Sequence, residues 1–408
     1  MRISRRGLLG TASAAAVLPG LGARAQGAGL KIGVLGDQSG VYRDLSGPVA
    51  IAAVRQAIEE FKAAGNTIAV DVITGDHQNK PDVGAGLARQ WIERDGVDMI
   101  IDVPNSAVGL AVAGVCKDRD RVYINSGAAI ADLTGPQCAA TTVHWTYDTY
   151  MLAHSTGGAM VKQGGNKWFF ITADYAFGHA LERDTTTFIK AEGGSVLGSV
   201  SVPLGNTDFS SYLIQAQSSG ANVIGFANAG ADAVNAVKQA GEFGVAGKGT
   251  KLAGLLMFIS DVHALGLKTA QGLVVSNTFY WDHDDRTRAF TKRLLPKTNN
   301  IYPGMSQAGC YAGTLHYLKA ATAMGLAESK KSGAATVTRM KAMPSDDDAF
   351  GPGSVREDGR ALHPVYLYQV KTPAESKAPW DYYKLLNTTP ADQAWRPLKD
   401  GGCPLVKA

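Results

Sequence analysis

The stretch KIGVLGDQSGVYRDLSGPVAIAAVRQAIEEF, residues 31–61, decides the fold class. Its first six residues include the apolar, β-branched side chains that are typical of a buried strand, and a polar loop follows them. Pro48 then suits the first turn of a helix with Ser46 as its N-cap, and apolar residues recur from Val49 to Phe61 at helical spacing. A strand, a loop and an amphipathic helix in this order predict one unit of a parallel α/β sheet.

The same alternation continues along the chain in two series. Further strands are predicted at 69–74, 99–103, 121–125, 168–172, 195–202, 223–227, 252–256 and 273–276, with helical patterns between them. Late strand-like segments, 365–370 and 382–386, need a sheet to join. The pattern predicts two doubly wound parallel-sheet lobes joined by a hinge of three crossovers. We expect residues 26–146 with 281–350 in the N-terminal lobe and 147–280 with 351–408 in the C-terminal lobe.

The net positive charge of the chain comes from its first 25 residues. Among 408 residues, 40 Lys and Arg stand against 36 Asp and Glu, and the first 25 residues hold Arg2, Arg5, Arg6 and Arg24 but no acid. Residues 1–25 read as a cleaved signal peptide, and Arg5-Arg6 resembles a twin-arginine signal, an ordinary Sec leader being the alternative. The chain is therefore expected in the periplasm, with no membrane span. Its neutral remainder gives nucleic acid no basic surface to bind.

Four cysteines suit an oxidising compartment and allow three pairings. Cys116 and Cys138 flank one predicted strand, so a disulfide between them is expected. Cys310 would then pair with Cys403 and tie the tail to a long helix. Free, buried thiols are the alternative.

Catalytic and metal-binding patterns are absent from the sequence. It contains no G-x-S-x-G, no H-E-x-x-H and no G-x-G-x-x-G after the first strand. The eight histidines are scattered, and Asp346-Asp347-Asp348 does not match the spacing of a calcium loop. We therefore predict a protein that is not an enzyme, with no metal and no cofactor.

Several motifs together resemble the solute-binding proteins of branched-chain-amino-acid-type ABC transporters, the type I periplasmic binding proteins. The motifs are KIGVLG (31–36), KPD (80–82), DYAFG (174–178), NTDFS (206–210) and GR (359–360). The branch that binds aromatic acids is the most similar, on the strength of YRDLSGP (42–48), FYWD (279–282) and ESKAPWDYYK (375–384). The resemblance implies the type I periplasmic binding protein fold, with ligand held at the carboxyl ends of the strands.

The resemblance also implies binding residues in the first lobe. Asn105 and Ser106 match the place where a serine holds the ligand carboxylate, and a hydroxyl at a helix N-terminus suits an anion; a capping role is the alternative for Ser106. The next loop matches at Ser126, Gly127, Ala128 and Ala129, where Ala129 replaces a usual threonine. From the first loop, Gln38 is expected to donate a hydrogen bond, and Tyr42 and Leu45 to form a wall, unless they form only a surface turn.

In the second lobe, Phe177 matches the usual aromatic wall. Met257 and Phe258 occupy the strand end where amino-acid binders carry an acid, and the next acid, Asp261, is displaced. A buried ammonium group without a carboxylate is costly, which argues against an α-amino acid. Asn228 is expected to read a ring substituent and Tyr280 to line the cleft. Core packing, turn formation and hinge packing are the respective alternatives for Met257 with Phe258, Asn228 and Tyr280.

The leading hypothesis is a monomeric binding protein that delivers a small organic acid, aromatic and similar to benzoate or hydroxycinnamate, to a membrane ABC permease. A binding protein for branched-chain amino acids or amides is the first alternative. A periplasmic hydrolase that uses the cleft is the second.

Overall fold

The computed structural model describes residues 29–245 and 249–407. The predicted signal peptide lies outside the described residues. Within them, none of the helices combines the length and the apolar character that crossing a membrane requires.

The first lobe is built on a five-stranded parallel sheet with the strand order β2-β1-β3-β4-β5. Its strands are β1 (Gly29–Gly36), β2 (Ala69–Asp76), β3 (Met99–Asp102), β4 (Val122–Asn125) and β5 (Thr142–His144). The motif in residues 31–61 thus supplies the central strand β1 and the helix that follows it. The first crossing to the second lobe, after β5, contains the helices α4 (Thr149–Leu152) and α5 (Gly158–Lys162), joined by a π-turn.

Helices cover both faces of the first sheet. They are α1 (Gly47–Ala63), α2 (Pro81–Gln90), α3 (Ser106–Asp118), α11 (Asp285–Leu294), α12 (Met305–Met324), α13 (Leu326–Lys331) and α14 (Gly333–Lys341). Helix α12 is buried over most of its length and packs along α1. Ser46 stands at the N-cap position of α1, but its hydroxyl makes no capping bond and donates instead to the Asp102 carboxylate. The predicted N-cap role of Ser46 is therefore wrong.

The second lobe has a four-stranded parallel sheet with the order β7-β6-β8-β9. Its strands are β6 (Lys167–Ala173), β7 (Ser195–Val202), β8 (Val223–Ala227) and β9 (Lys251–Gly254). Its helices are α6 (Ala176–Ala191), α7 (Ser210–Ser218), α8 (Gly230–Glu242), α9 (Ile259–Leu265) and α10 (Leu267–Ala270). An antiparallel sheet of β10 (Val274–Asn277), β14 (Val365–Val370) and β15 (Tyr383–Thr389) continues this lobe.

The last crossing differs from the expected boundary at 350/351. The short strands β11 (Ser345–Asp347), β12 (Gly351–Val355) and β13 (Ala361–Leu362) form one ladder. A parallel bridge between His144 and Arg360 joins this ladder to the edge of the first sheet. The chain therefore leaves the first lobe after β13, at His363, and not at Gly351. The reason is that β12 pairs back with β11 instead of running on to the second lobe.

Two crossings are joined by a buried ion pair. The Arg360 guanidinium, 1% exposed, lies 3.1 Å from the Asp148 carboxylate at the start of α4. It also donates to the carbonyl oxygens of His144 and Thr146 and lies over the Trp395 ring, 4.2 Å from its centroid. Burial lowers the pKa of Arg360 to about 10, so the guanidinium stays charged at neutral pH. The pair fixes the first and third crossings of the hinge to one another.

The predicted cysteine pairing is wrong. Cys138 is bonded to Cys403, with Cα atoms 5.6 Å apart, while Cys116 and Cys310 are buried free thiols. Residues 391–407, which begin with α15 (Ala391–Ala394), return to the first lobe and bring Cys403 to Cys138. Arg396 in the same segment donates to the Ala131 carbonyl oxygen. The tail that was expected on the second lobe therefore fastens to the first.

The acidic run 346–348 is used for structure. Asp348 pairs with Arg286 and Arg293 of α11, and Asp346 pairs with Arg286. Asp347 accepts from the backbone N–H groups of the two residues at 349 and 350. The run thus fastens α11 to the turn after β11.

Candidate functional site

The carboxyl ends of the strands in the two parallel sheets face one another, and the loops that follow them meet across a closed cleft. The hydroxyl oxygens of Tyr42, after β1, and Tyr175, after β6, are 2.6 Å apart. The Ala231 N–H donates to the Val41 carbonyl oxygen at 3.0 Å. Such crevices at strand ends are the usual ligand sites of α/β folds.

The polypeptide between β3 and α3 is strained. Asp102 and Val103 are both left-handed, with φ of 88° and 59°. This conformation is unfavourable for a β-branched residue and commonly marks functional sites. It turns the chain sharply, so that α3 begins at Ser106 opposite the second lobe, whose Ala176 and Ala180 pack in the same apolar cluster as Val108.

Ser106 has a free hydroxyl at the start of α3. Asn105 is the N-cap, and its side-chain oxygen accepts from the backbone N–H groups of Ala107 and Val108 at 3.0 and 3.1 Å. Ser106 is 1% exposed, and its Oγ has no hydrogen-bond partner among the residues that the structure describes. The Ser106 hydroxyl therefore does not cap the helix, and it is available to form a hydrogen bond with a ligand.

Most polar groups of the loop 126–129 that were predicted to bind ligand already have hydrogen-bond partners within the protein. The Ser126 hydroxyl lies 3.0 Å from the Cys310 thiol, on the side of α12. The Gly127 N–H donates to the Asp102 carbonyl oxygen, and the Ala128 N–H donates to the Asn125 side chain. Ala128 and Ala129 are buried in apolar clusters. Ser126 and Ser106 were both predicted to bind ligand, but the Ser126 hydroxyl is engaged with α12, whereas the Ser106 hydroxyl has no partner in the described residues.

The loop after β1 is organised by Asp37. Its carboxylate accepts from the backbone N–H groups of Ser39, Gly40 and Tyr42 and from the Asn79 amide. These bonds set Tyr42 against the second lobe, where it is buried.

Two further predicted residues lie in this loop. Leu45 is 3% exposed and packs in the large apolar cluster that takes residues from both lobes. The Gln38 Nε2 atom is buried with no hydrogen-bond partner within residues 29–245 and 249–407. The ligand roles expected of Gln38 and Leu45 stay predictions.

The second lobe contributes aromatic and polar groups. Phe177 is buried beside Tyr175, with ring centroids 5.9 Å apart. Asn228, at the end of β8, is 2% exposed, and neither atom of its side-chain amide has a partner in the described part of the chain. Asp232, in the first turn of α8, accepts from the Gly205 N–H at 3.0 Å through Oδ2, while its Oδ1 is buried and unpartnered there. Burial raises the pKa of Asp232 to about 6.

Met257 and Phe258 have separate environments. Met257 packs in the core of the second lobe, whereas Phe258 meets the Tyr147 ring edge to face at 5.4 Å. The Tyr147 hydroxyl donates to the Gly127 carbonyl oxygen at 2.5 Å. Met257 is therefore a core residue, whereas Phe258 packs in the large apolar cluster and stays a predicted cleft wall.

Asp261 is engaged at the start of α9. It accepts from the Phe258 N–H at 2.9 Å, and burial raises its pKa to about 7. This acid supports the helix start.

Tyr280 fastens the tail. Its hydroxyl donates to the Trp380 carbonyl oxygen at 3.3 Å and accepts from the backbone N–H groups of Tyr382 and Tyr383. The ring packs in the core of the second lobe. Its hydrogen bonds are thus made with the hinge side of the molecule, in line with the packing alternative.

Three residues of the cleft were missing from the sequence-based set: Tyr147, Tyr175 and Asp232. Tyr175 was inside the quoted motif DYAFG and directly follows β6, which is a signal that places it at a strand end. Asp232 had the pattern of an ordinary acid in the first turn of a helix. Tyr147 lies in the crossing after β5, a three-residue strand with little pattern of its own.

Comparison with known proteins agrees with this architecture. The profile of the periplasmic binding protein family matches residues 29–377. A periplasmic binding protein from Burkholderia mallei is 46% identical, with a TM-score of 0.89 over 93% of this chain and 100% of that one.

Two further solved structures are similar. A branched-chain amino acid ABC transporter periplasmic ligand-binding protein from Burkholderia xenovorans is 36% identical, with a TM-score of 0.80 over 92% of this chain and 99% of that one. A solute-binding protein of an ABC transporter from R. palustris, in complex with 4-hydroxybenzoate, shares the fold at 21% identity and a TM-score of 0.79, over 90% and 98% of the two chains. With the family match spanning most of its length, this chain belongs to the periplasmic binding protein family.

Proposed function

We propose that this chain is the periplasmic solute-binding component of an ABC importer, working as a monomer. It captures a small aromatic acid between its lobes and presents the closed form to the membrane permease. Its family is that of the periplasmic binding proteins, and the similar structures from Burkholderia xenovorans and R. palustris are described as binding proteins of ABC transporters. Lobe closure around a ligand is the hinge motion that such a two-lobed architecture supports.

The observation that carries the proposal is the Ser106 hydroxyl, buried and unpartnered in the described chain at the N-terminus of α3. A carboxylate there would accept from the hydroxyl and benefit from the helix dipole, with no buried cation required. Tyr42, Phe177 and Phe258 supply aromatic side chains buried at the strand-end loops. Benzoate and hydroxycinnamates combine such an anionic group with a flat apolar ring. A complex of 4-hydroxybenzoate is known for a protein of the same fold.

A second candidate ligand is a branched-chain amino acid. The similar protein from Burkholderia xenovorans carries that description, and the free oxygen of Asp232 would accept from an ammonium group. Asp232 is not at the Met257 strand end, where amino-acid binders carry their acid. An amino acid would therefore have to lie in this cleft in another orientation than in those proteins.

A thermal-shift panel on protein unfolded and refolded to remove co-purified solutes tests the proposal. We expect a benzoate or hydroxycinnamate at about 100 times its Kd to stabilise the fold by roughly 2.7 kcal/mol, and leucine to have no effect. If leucine stabilises the protein and none of the aromatic acids does, the ligand is a branched-chain amino acid and not an aromatic acid. Hydrolysis of a bound ester or amide, abolished by one Ser or His substitution, would establish the hydrolase alternative and overturn a binding role.

A further inference from the structure

The second lobe holds two buried polar side chains, one just after β8 and one in the first turn of α8. Asn228 and Asp232 are 2% and 3% exposed. Both amide atoms of Asn228 and the Oδ1 atom of Asp232 have no partner within the part of the chain that the structure describes. The carboxylate is held in place, because its Oδ2 accepts from the Gly205 N–H. Buried polar atoms are rarely left without partners, so these three unpartnered atoms point to a ligand.

The residues between this pair touch the first lobe. Gly230 and Ala231 lie against Val41, whose carbonyl oxygen accepts from the Ala231 N–H. Burial is the main cause that raises the pKa of both Tyr42 and Tyr175, and the charge of Asp232 raises both further, so the carboxylate lies near this hydroxyl pair. The pair Asn228–Asp232 therefore faces the cleft where the lobes meet, on the opposite lobe from Ser106.

The hydrogen-bonding sense of these atoms restricts the ligand. Asp232 Oδ1 and Asn228 Oδ1 accept, and Asn228 Nδ2 donates. A hydroxyl group both donates and accepts, so it satisfies the acid and the amide donor together. An ammonium group only donates, and an aromatic C–H does neither. A hydroxyl is thus the substituent that fits this end of the cleft best.

We propose that Asn228 and Asp232 form a subsite that selects aromatic acids bearing a ring hydroxyl, with the ligand carboxylate at Ser106. This inference rests on the proposed function. Calorimetric titration of ligand-free protein with benzoate, 3- and 4-hydroxybenzoate and 3- and 4-aminobenzoate tests it. The better hydroxybenzoate isomer is expected to bind at least about tenfold more tightly than benzoate, because benzoate leaves the buried polar atoms unpaired.

Asp232→Asn gives the sharper result. The Gly205 N–H still needs an acceptor, so the amide oxygen stays there and an NH₂ donor replaces Oδ1. A hydroxyl can turn to accept from that donor, whereas an aromatic amine is chiefly a donor. We therefore expect aminobenzoate to lose at least about tenfold in affinity and hydroxybenzoate to lose less. Asn228→Leu should bring the hydroxybenzoates toward the affinity of benzoate.

The control is Asp208→Asn, a change of the same chemistry at an exposed position of the same lobe, and it should leave every affinity unchanged. Benzoate affinity checks folding, since a misfolded variant would lose benzoate as well. Equal affinities of the wild type for benzoate and its hydroxy derivatives would overturn the subsite and leave the proposed function intact. Failure of every aromatic acid to bind the wild type would instead overturn the proposed function.

Discussion

The hydroxyl oxygens of Tyr42 and Tyr175 are 2.6 Å apart and belong to different lobes, so their hydrogen bond exists only when the cleft is closed. Tyr175→Phe removes it without changing the ring. A neutral hydrogen bond contributes about 1 kcal/mol, so ligand affinity should fall roughly fivefold while the melting temperature of the open, ligand-free protein stays the same. Calorimetric titration measures the affinity, and Tyr212→Phe on the outer helix α7 is the matched control. Identical affinities in the three proteins would show that the pair does not stabilise closure.

Gly230 is a second determinant of closure. It has a φ of 59°, and an added Cβ would lie 2.4 Å from the Val41 carbonyl oxygen of the other lobe. Gly230→Ala should therefore obstruct the closed form and weaken binding about tenfold or more, since such overlap has to be relieved by moving the backbone. Gly266→Ala is the control, because Gly266 has a φ of 72° and no atom within 4 Å of an added Cβ. It places an alanine at a positive φ without the lobe contact and should keep its ligand affinity. Equal affinity losses in both variants would contradict a lobe contact as the cause.

Ser106 and its neighbour Asn105 should separate binding from stability. Ser106→Ala removes a hydroxyl with no partner in the described chain, so stability should change by less than about 0.5 kcal/mol while ligand affinity falls about tenfold. Asn105→Ala removes the N-cap of α3 and should lower the free energy of unfolding by about 1 kcal/mol. Urea unfolding without ligand and calorimetry with ligand give both quantities. An unchanged affinity in Ser106→Ala would remove this serine from the site.

Breaking the buried ion pair of the hinge should lower the free energy of unfolding more than breaking an exposed pair of the same chemistry. Asp148→Asn keeps an oxygen for capping α4 but removes the carboxylate that pairs with the buried Arg360 guanidinium, so the free energy of unfolding should fall by about 3 kcal/mol. Asp285→Asn breaks the exposed pair with Arg288 and should change it by less than about 0.5 kcal/mol. Urea denaturation compares the two variants. Similar losses would mean that burial of the Arg360 charge does not matter.

Asp102 should make stability depend on pH. Burial raises the pKa of its carboxyl to about 7, with a further increase from the nearby charge of Asp37, while a bond from Ser46 opposes the shift. Because the folded pKa lies above the unfolded value of about 3.9, its contribution is fully present below that value and is lost as the pH rises through about 7.

Asp102→Asn cannot titrate and tolerates the left-handed backbone of this position. Relative to the wild type, the variant should therefore gain stability as the pH rises, by up to about 1.4 kcal/mol per pH unit between about pH 4 and pH 7. Urea unfolding at about pH 5 and about pH 7 measures the difference, in which the other buried acids cancel. A constant difference between the two proteins would show that Asp102 keeps an ordinary pKa.

The sequence predicted what depends on local pattern. Buried strands such as β6 and β8, and helices with an apolar face such as α1, carry their own periodicity. It did not predict β5, which has three residues, or the return of β12 onto β11, which depends on a distant partner. The predicted cysteine pairing was wrong for the same reason, since Cys138 and Cys403 are 265 residues apart and only the path of the tail brings them together.

The site divides along the same line. Tyr42, Ser106 and Asn228 come shortly after strands, so their place in the strand-end loops follows from the order of elements. Ser126 is adjacent to a strand as well, but its hydroxyl turns to Cys310, because the residues around a loop decide which way a side chain points. Tyr280 turns toward the tail in the same way. The sequence therefore predicts which residues lie in the loops at the carboxyl edge of each sheet. It does not predict which way each side chain points.

The bond between Cys138 and Cys403 also sets an order of assembly. Cys403 is synthesised 265 residues after Cys138, while the strands of the sheet that the bond fastens end with β5. The first lobe consequently remains without this covalent closure until Cys403 has been made and has reached a compartment that oxidises thiols. A chain truncated just before Cys403 would keep both sheets and lose the bond, so the lobe whose strands are made first is closed by a residue made much later.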